Sequence, residues 1–299
     1  MTTRIAYASP VDLDTFGPYT AQDPQYPFAG RIGDPEFPEE ANRYHLYLSH
    51  GCPWAHIAGI VRLARGLDDI IGVSYVDEER DARGWAFRER FGPDPVNDFV
   101  LLREAYEATE PGYPGHISVP TLWDRVGGRI VANSYDAIPN DLATAFAGHV
   151  GPSALDLYPE DLREAIDTTD TDFATAARRG GLWEAENGEV VHTLERSDAH
   201  LADKRYLFGD RLTLSDVRLW VKLARFPDTY AAAVALDGRT LVDYPNLWAY
   251  ARDLYTRPEF RASTDLGVLA ENRARRAPDG PAGPSDESWE LPHERHLLG

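Results

Sequence analysis

The chain has 299 residues, 43% hydrophobic and 26% charged, which suits a globular protein with room for two domains and excludes a disordered or fibrous one. A net charge of −19 repels polyanions, so sequence-independent binding of DNA or RNA is not expected. One cysteine in the whole chain leaves no intramolecular disulfide and no cysteine-rich zinc site, and no membrane-length apolar run or secretory leader is legible, so the sequence reads as cytoplasmic, off the membrane and metal-free.

Residues 1–42 are rich in Pro, Asp, Gly and Tyr without helical or strand periodicity, and read as an extended arm laid over a surface. Arg43-Tyr-His-Leu-Tyr-Leu-Ser49 alternates and is aromatic-rich, as a strand does. After His50-Gly-Cys-Pro-Trp54, the apolar residues Ile57, Ala58, Ile60, Val61 and Leu63 predict a buried helix over 55–65, with Gly66 as its stop. Ile70–Val76 predicts a second strand, followed by a loop-rich stretch that includes Arg83-Gly-Trp-Ala-Phe87. Ser118–Trp123 and Arg129–Ala132 predict a hairpin about Gly127-Gly128, and Ser134–Phe146 the helix after it. The order β-α-β then β-β-α is thioredoxin-like and occupies 43–150.

From 151 to 275 the signal is helical. Thr213-Leu-Ser-Asp216 has the spacing of a capping box, in which threonine and aspartate satisfy each other's backbone N–H groups at a helix start. Val217, Trp220, Val221 and Ala224 then fall on one face, and a further helix starts near Pro245 with Leu247, Trp248 and Ala251 inward. Residues 276–299 are Pro, Gly and charge, read as a tail.

Cys52 follows a strand and precedes Pro53, a favoured first helical residue. The sulfur is thus expected where unpaired N–H groups and the positive helix end favour an anion, so its thiol should ionise readily and attack disulfides, thioethers or quinone-type electrophiles. An inert buried cysteine is the alternative. Val119-Pro120 opens the hairpin strand, where a cis bond would present backbone to a peptide-like ligand; a trans proline would serve the strand equally well. His56, one helical turn past Cys52, could pair with the thiol or bind a metal, though a packed histidine is the preferred reading.

Several runs together resemble the glutathionyl-hydroquinone reductases, the Xi-class glutathione transferases: Cys52-Pro-Trp-Ala-His56, Gly84-Trp85 with Phe87, Val119-Pro-Thr-Leu-Trp-Asp124, Leu157-Tyr-Pro159, Leu212-Thr213 with Asp216, and Arg252-Asp-Leu-Tyr255. The match spans about residues 35–260. It implies a thioredoxin-like α/β domain followed by an all-helical domain, a site in the cleft between them, and a homodimer. In that family a cysteine takes the thiol from an aromatic conjugate as a mixed disulfide and a second thiol releases it, which needs no resolving cysteine. The resemblance makes Cys52 the nucleophile beside Pro53 and Trp54, sets Trp85 along the bound thiol, gives Val119 and Pro120 the backbone pairing with its cysteinyl part, and turns Trp183 and Tyr230 toward the aromatic substrate.

Departures from the family pattern fall around the ligand. Where the family has Asn-Glu-Ser for the γ-glutamyl group, an ungapped reading gives Asn133-Ser134-Tyr135 here, and a one-residue slip would instead offer Asn133-Ser134, without the charge. The arginine after the Cys-Pro-Trp-Ala-His run is Ile57, a tyrosine is replaced around Gly181-Leu-Trp183, and Glu271–Arg276 lacks the tyrosine pair. Asn133 and Ser134 remain as thiol-binding candidates. The expected co-substrate is a low-molecular-weight thiol: glutathione, γ-glutamylcysteine, or mycothiol, the last suggested by the altered pocket and by a chain with 30 basic residues of which Lys204 and Lys222 are the only lysines. A thiol-conjugating transferase and a non-catalytic binding module on the same fold are the rival readings.

Overall fold

The computed structural model describes residues 6–20, 22–23, 25–169, 187–226, 238–276, 278 and 283–298. The chain divides into two compact units, Met1–Ala154 and Leu155–Gly299.

The first unit is built on a four-stranded sheet in the order β2-β1-β3-β4, with β1 Tyr44–Leu48, β2 Ile71–Tyr75, β3 Thr121–Asp124 and β4 Arg129–Ala132. β1 and β2 run parallel, linked by helix α1 (Pro53–Ala64); β3 is antiparallel to both β1 and β4. Gly66, at φ 64°, follows α1 as the predicted stop, a backbone state glycine adopts without cost. Helix α2, Arg103–Thr109, lies against β4 inside the stretch read as loop. Its seven residues carry only two buried side chains, Ala105 and Tyr106, too short a stripe for periodicity to register. Helix α3, Ala137–Thr144, starts three residues later than predicted and packs on α1.

All five residues of β1 are buried, the polar ones included. The 77–102 loop takes up part of that polarity: Asp94, fully buried, accepts from the Tyr47 hydroxyl at 3.1 Å and from the N–H groups of Val96, Asn97 and Phe99. Its carboxyl is raised above the usual range by burial.

The arm holds one helical turn, Leu13–Phe16, capped by Asp12, and is otherwise extended. Ala29 bridges Ala132, and Gly30 N–H donates to Val131 O at 2.9 Å, so the arm shields the outer edge of β4. Gly30 is required there, because a Cβ would lie 2.5 Å from the Phe37 ring and 2.9 Å from the Val131 oxygen. Nearer the start, Arg83 forks onto buried Asp81 (2.9 and 2.7 Å) and donates to Ser9 Oγ and Pro10 O, while Asp12 N–H reaches the same carboxylate.

The second unit is helical. Residues 163–169 form a helix up to the edge of the described region, followed by α4 Asn187–His200, α5 Leu214–Leu223, α6 Pro245–Tyr255, α7 Pro258–Ser263 and α8 Leu266–Arg276. α6 is touched by α4, α5 and α7. The capping box is present: fully buried Asp216 accepts from Thr213 N–H (2.8 Å) and hydroxyl (2.9 Å), and also from Leu207 N–H and the Tyr250 hydroxyl. The segment read as a tail is docked on this unit. Trp289, 2% exposed, stands edge-on to Trp248 at 4.9 Å, and buried Arg295 donates to the carbonyls of Leu201, Lys204 and Arg205. Two anchors suffice for this, and composition hides them.

Candidate active site

Cys52 is the N-cap of α1, in extended backbone with Pro53 at the first helical position. The four N–H groups that open a helix have no partner within it, so this is an anion-favouring end. The sulfur is half-buried and lies 3.5 Å from the Val119 carbonyl, to which the thiol donates. The Val119–Pro120 bond is cis, the alternative the sequence left open. The turn from β1 into α1 is fixed by a carboxylate: Glu78 accepts from the Ser49 hydroxyl and from Gly51 N–H, each at 2.9 Å, while Ser49 Oγ accepts from Cys52 N–H at 3.2 Å. His50 stacks on Tyr75 at 3.8 Å, and His56 is buried within α1.

Aromatic rings surround this corner. Trp54 lies 4.6 Å from Tyr135, and Tyr135 meets Tyr26 of the arm edge-on at 5.1 Å. Burial, then Tyr135 and Cys52, push the Tyr26 hydroxyl up to about 12. Trp85, 8% exposed, carries the Arg80 guanidinium 4.0 Å above its ring. Burial pulls Arg80 below the ordinary guanidinium value, opposed by Tyr19, Cys52 and Glu78.

The other candidates are differently engaged. Asn133 is fully buried; its amide donates to Gln25 O at 3.2 Å and reaches the Tyr106 hydroxyl and Ser118 Oγ, tying arm to hairpin. Ser134 Oγ accepts from Ala137 N–H at 3.3 Å and so helps to start α3. Trp183 and Tyr230 lie outside the described residues. The structure thus brings Cys52, Pro53, Trp54, Val119 and Pro120 to one corner. It adds Glu78, bonded to Ser49 and Gly51, and Tyr26, joined to Trp54 through Tyr135, which sequence reasoning did not single out. Among the described residues no group of His, Cys, Asp and Glu is arranged to hold a metal ion, and no helix is long and apolar enough to cross a membrane.

The family model "Glutathione S-transferase, C-terminal domain" matches residues 180–253. Glutathionyl-hydroquinone reductase YqjG of Escherichia coli is 34% identical over 246 residues, 77% of this chain and 74% of that protein. Glutathionyl-hydroquinone reductase PcpF of Sphingobium chlorophenolicum is 35% identical over 229 residues, 72% of each chain. The chain belongs to the glutathionyl-hydroquinone reductase family, the Xi-class, omega-like glutathione transferases. The glutathione-bound structure of the Escherichia coli member superposes with a TM-score of 0.80 at 30% identity, covering 90% of this chain and 96% of the other. The family's architecture, a thioredoxin-like sheet domain followed by a helical glutathione-transferase domain, is the one described above.

Proposed function

We propose that this enzyme removes a low-molecular-weight thiol from an aromatic conjugate, with Cys52 as nucleophile. The reading rests on one observation above all: a half-buried cysteine at the start of α1, its sulfur facing the Val119 carbonyl. The Cys52 thiolate attacks the conjugate's sulfur; the carbon–sulfur bond breaks, its electron pair stays on the ring carbon, and that carbon takes a proton to give the free hydroquinone. A mixed disulfide is left on Cys52. A second thiol, as thiolate, attacks the carrier sulfur, leaves as a symmetric disulfide and restores Cys52. Helix-end N–H groups stabilise the thiolate at both stages. Cys52→Ser is expected to abolish turnover of a thiol–hydroquinone conjugate followed by product chromatography. Retention of a tenth or more of the wild-type rate would refute the assignment.

The carrier is a second question with its own observation. Ser134 accepts from Ala137 N–H and Tyr135 packs on Trp54 and Tyr26, and neither carries the carboxylate that would meet a γ-glutamyl ammonium. This favours a carrier without that group, mycothiol being the reference case. Incubation with the disulfides of glutathione, γ-glutamylcysteine and mycothiol, read as mass added to Cys52, decides it. Efficient loading by glutathione alone would overturn this choice and leave the reaction standing. The homodimer implied by the resemblance would give twice the chain mass in sedimentation equilibrium.

A further inference from the structure

Helix α2 brings one buried hydroxyl to the loop before β3. Tyr106 is fully buried, and all three polar groups of Ser118 lie against its phenol oxygen. The hydroxyl donates to Ser118 O at 3.1 Å, accepts from Ser118 N–H at 3.2 Å and lies 3.2 Å from Ser118 Oγ. Thr121, also fully buried, donates its own hydroxyl to Ser118 O at 2.7 Å and stands 3.1 Å from the phenol oxygen. Asn133 Nδ2, after β4, reaches the same phenol at 3.4 Å. One acceptor is enough to satisfy a buried hydroxyl. Here two hydroxyls converge on a single carbonyl oxygen.

That carbonyl shares a peptide plane with the N–H of Val119. The Ser118–Val119 bond is trans, so the C=O and the N–H point in opposite directions. With Ser118 O turned onto Tyr106 and Thr121, Val119 N–H is turned away from both. Among the described residues it makes no hydrogen bond, although Val119 is only 5% exposed. A buried backbone N–H is costly to leave unpaired, so this one is set to receive an acceptor. On its other side the same residue presents its carbonyl to Cys52 Sγ at 3.5 Å. The donor and the nucleophile are therefore joined through one residue.

We propose that Tyr106 and Thr121 are positioning residues: they lock the Ser118–Val119 peptide plane and so aim Val119 N–H at the amide of the thiol carried to Cys52. The lock selects a cysteine in amide linkage, a feature that glutathione, γ-glutamylcysteine and mycothiol share. A thiol without an amide gains nothing from it. The inference rests on the proposed reaction at Cys52, with Val119 pairing the cysteinyl part of the carrier.

The test is the rate at which Cys52 of the full chain is loaded by disulfides, read by mass spectrometry. In each case the Cys52 thiolate attacks one sulfur, the S–S bond breaks and the other half leaves as thiolate. Mycothiol disulfide and glutathione disulfide carry amides; bis(2-hydroxyethyl) disulfide carries none. Wild type should load the better of the first two faster than the third. Tyr106→Phe keeps the ring against Phe28 and Tyr113 and removes only the hydroxyl. It should slow the amide-bearing disulfide about five- to tenfold, the worth of an ordinary hydrogen bond, and leave the hydroxyethyl rate unchanged. Thr121→Val should show the same selective loss, smaller in size. A folded Tyr106→Phe that loads both classes at wild-type rates, or slows both equally, overturns the inference and leaves the reaction standing; so does a wild type without preference for the amide. Wild-type Cys52 that takes up none of the three overturns the reaction and this inference with it. Should Tyr106→Phe lose its near-ultraviolet circular dichroism, Thr121→Val decides: an unchanged ratio of the two rates refutes the lock.

Discussion

Acid should unfold this protein through one histidine in its central strand. His45 is 3% exposed on β1, and its Nε2 lies 2.8 Å from Ser74 Oγ on β2. Its cross-strand partner is Gly72, where a Cβ would sit 2.5 Å from His45 Nδ1, so the ring occupies the space that glycine leaves. Burial, helped by Arg125 and Arg62, lowers its proton affinity from 6.5 to about 4. The fold therefore holds this imidazole neutral. The unfolded chain takes up the proton first as pH falls below 6.5, so stability is full above that value and declines until the folded form also protonates near 4. Each tenfold difference in proton affinity is worth about 1.4 kcal/mol, so wild type should lose about 2.5 kcal/mol between neutrality and pH 4.5 from this group alone. His45→Gln removes the titration and keeps a side chain able to bond Ser74. Urea unfolding of both chains at several pH values isolates the effect, because carboxyl groups common to both cancel. The wild-type stability should fall more steeply than that of the variant over this window. Parallel pH dependences would show that the ring is already solvated or charged, and would refute the reasoning.

Three other perturbations test the packing and the pocket. Trp289→Ala removes a buried ring from the Trp220, Trp248 and Tyr255 cluster and should cost about 3–5 kcal/mol in denaturant unfolding of the helical unit; a loss below 1 kcal/mol would mean the C-terminal segment is not docked. Arg83→Ala leaves Asp81 buried without its guanidinium, which should cost about 3–5 kcal/mol and open the arm to limited proteolysis near Ser9; unchanged cleavage would contradict the pinning. The double change Ser134→Glu and Tyr135→Ser restores the carboxylate and small neighbour of the family pattern, and should lower the KM for glutathione by roughly one or two decades, the worth of a charge-assisted hydrogen bond.

What could be read from the sequence follows how local the cause of each feature is. The strand, the turn and the proline-started helix around Cys52 are specified by neighbours in the chain, and so is the box Thr213–Asp216. Helix α2 escaped notice because its packing on β4, and not its own pattern, makes it a helix. Helix α3 starts later than its pattern predicts, after Asn133 has bonded Gln25 O of the arm and where Ser134 Oγ accepts from Ala137 N–H. The docked C-terminus turns on Trp289 and Arg295, two residues lost in a background of proline, glycine and charge. The same division runs through the site. That a sulfur caps a helix is written in three consecutive residues. That Arg80 lies 4.0 Å from the rings of both Tyr19 and Trp85 depends on Tyr19 arriving from the arm, and no spacing rule joins positions 19, 80 and 85. Sequence motifs therefore locate a nucleophile far better than they describe its surroundings, since location is a property of the backbone turn and surroundings of the groups that the rest of the fold delivers.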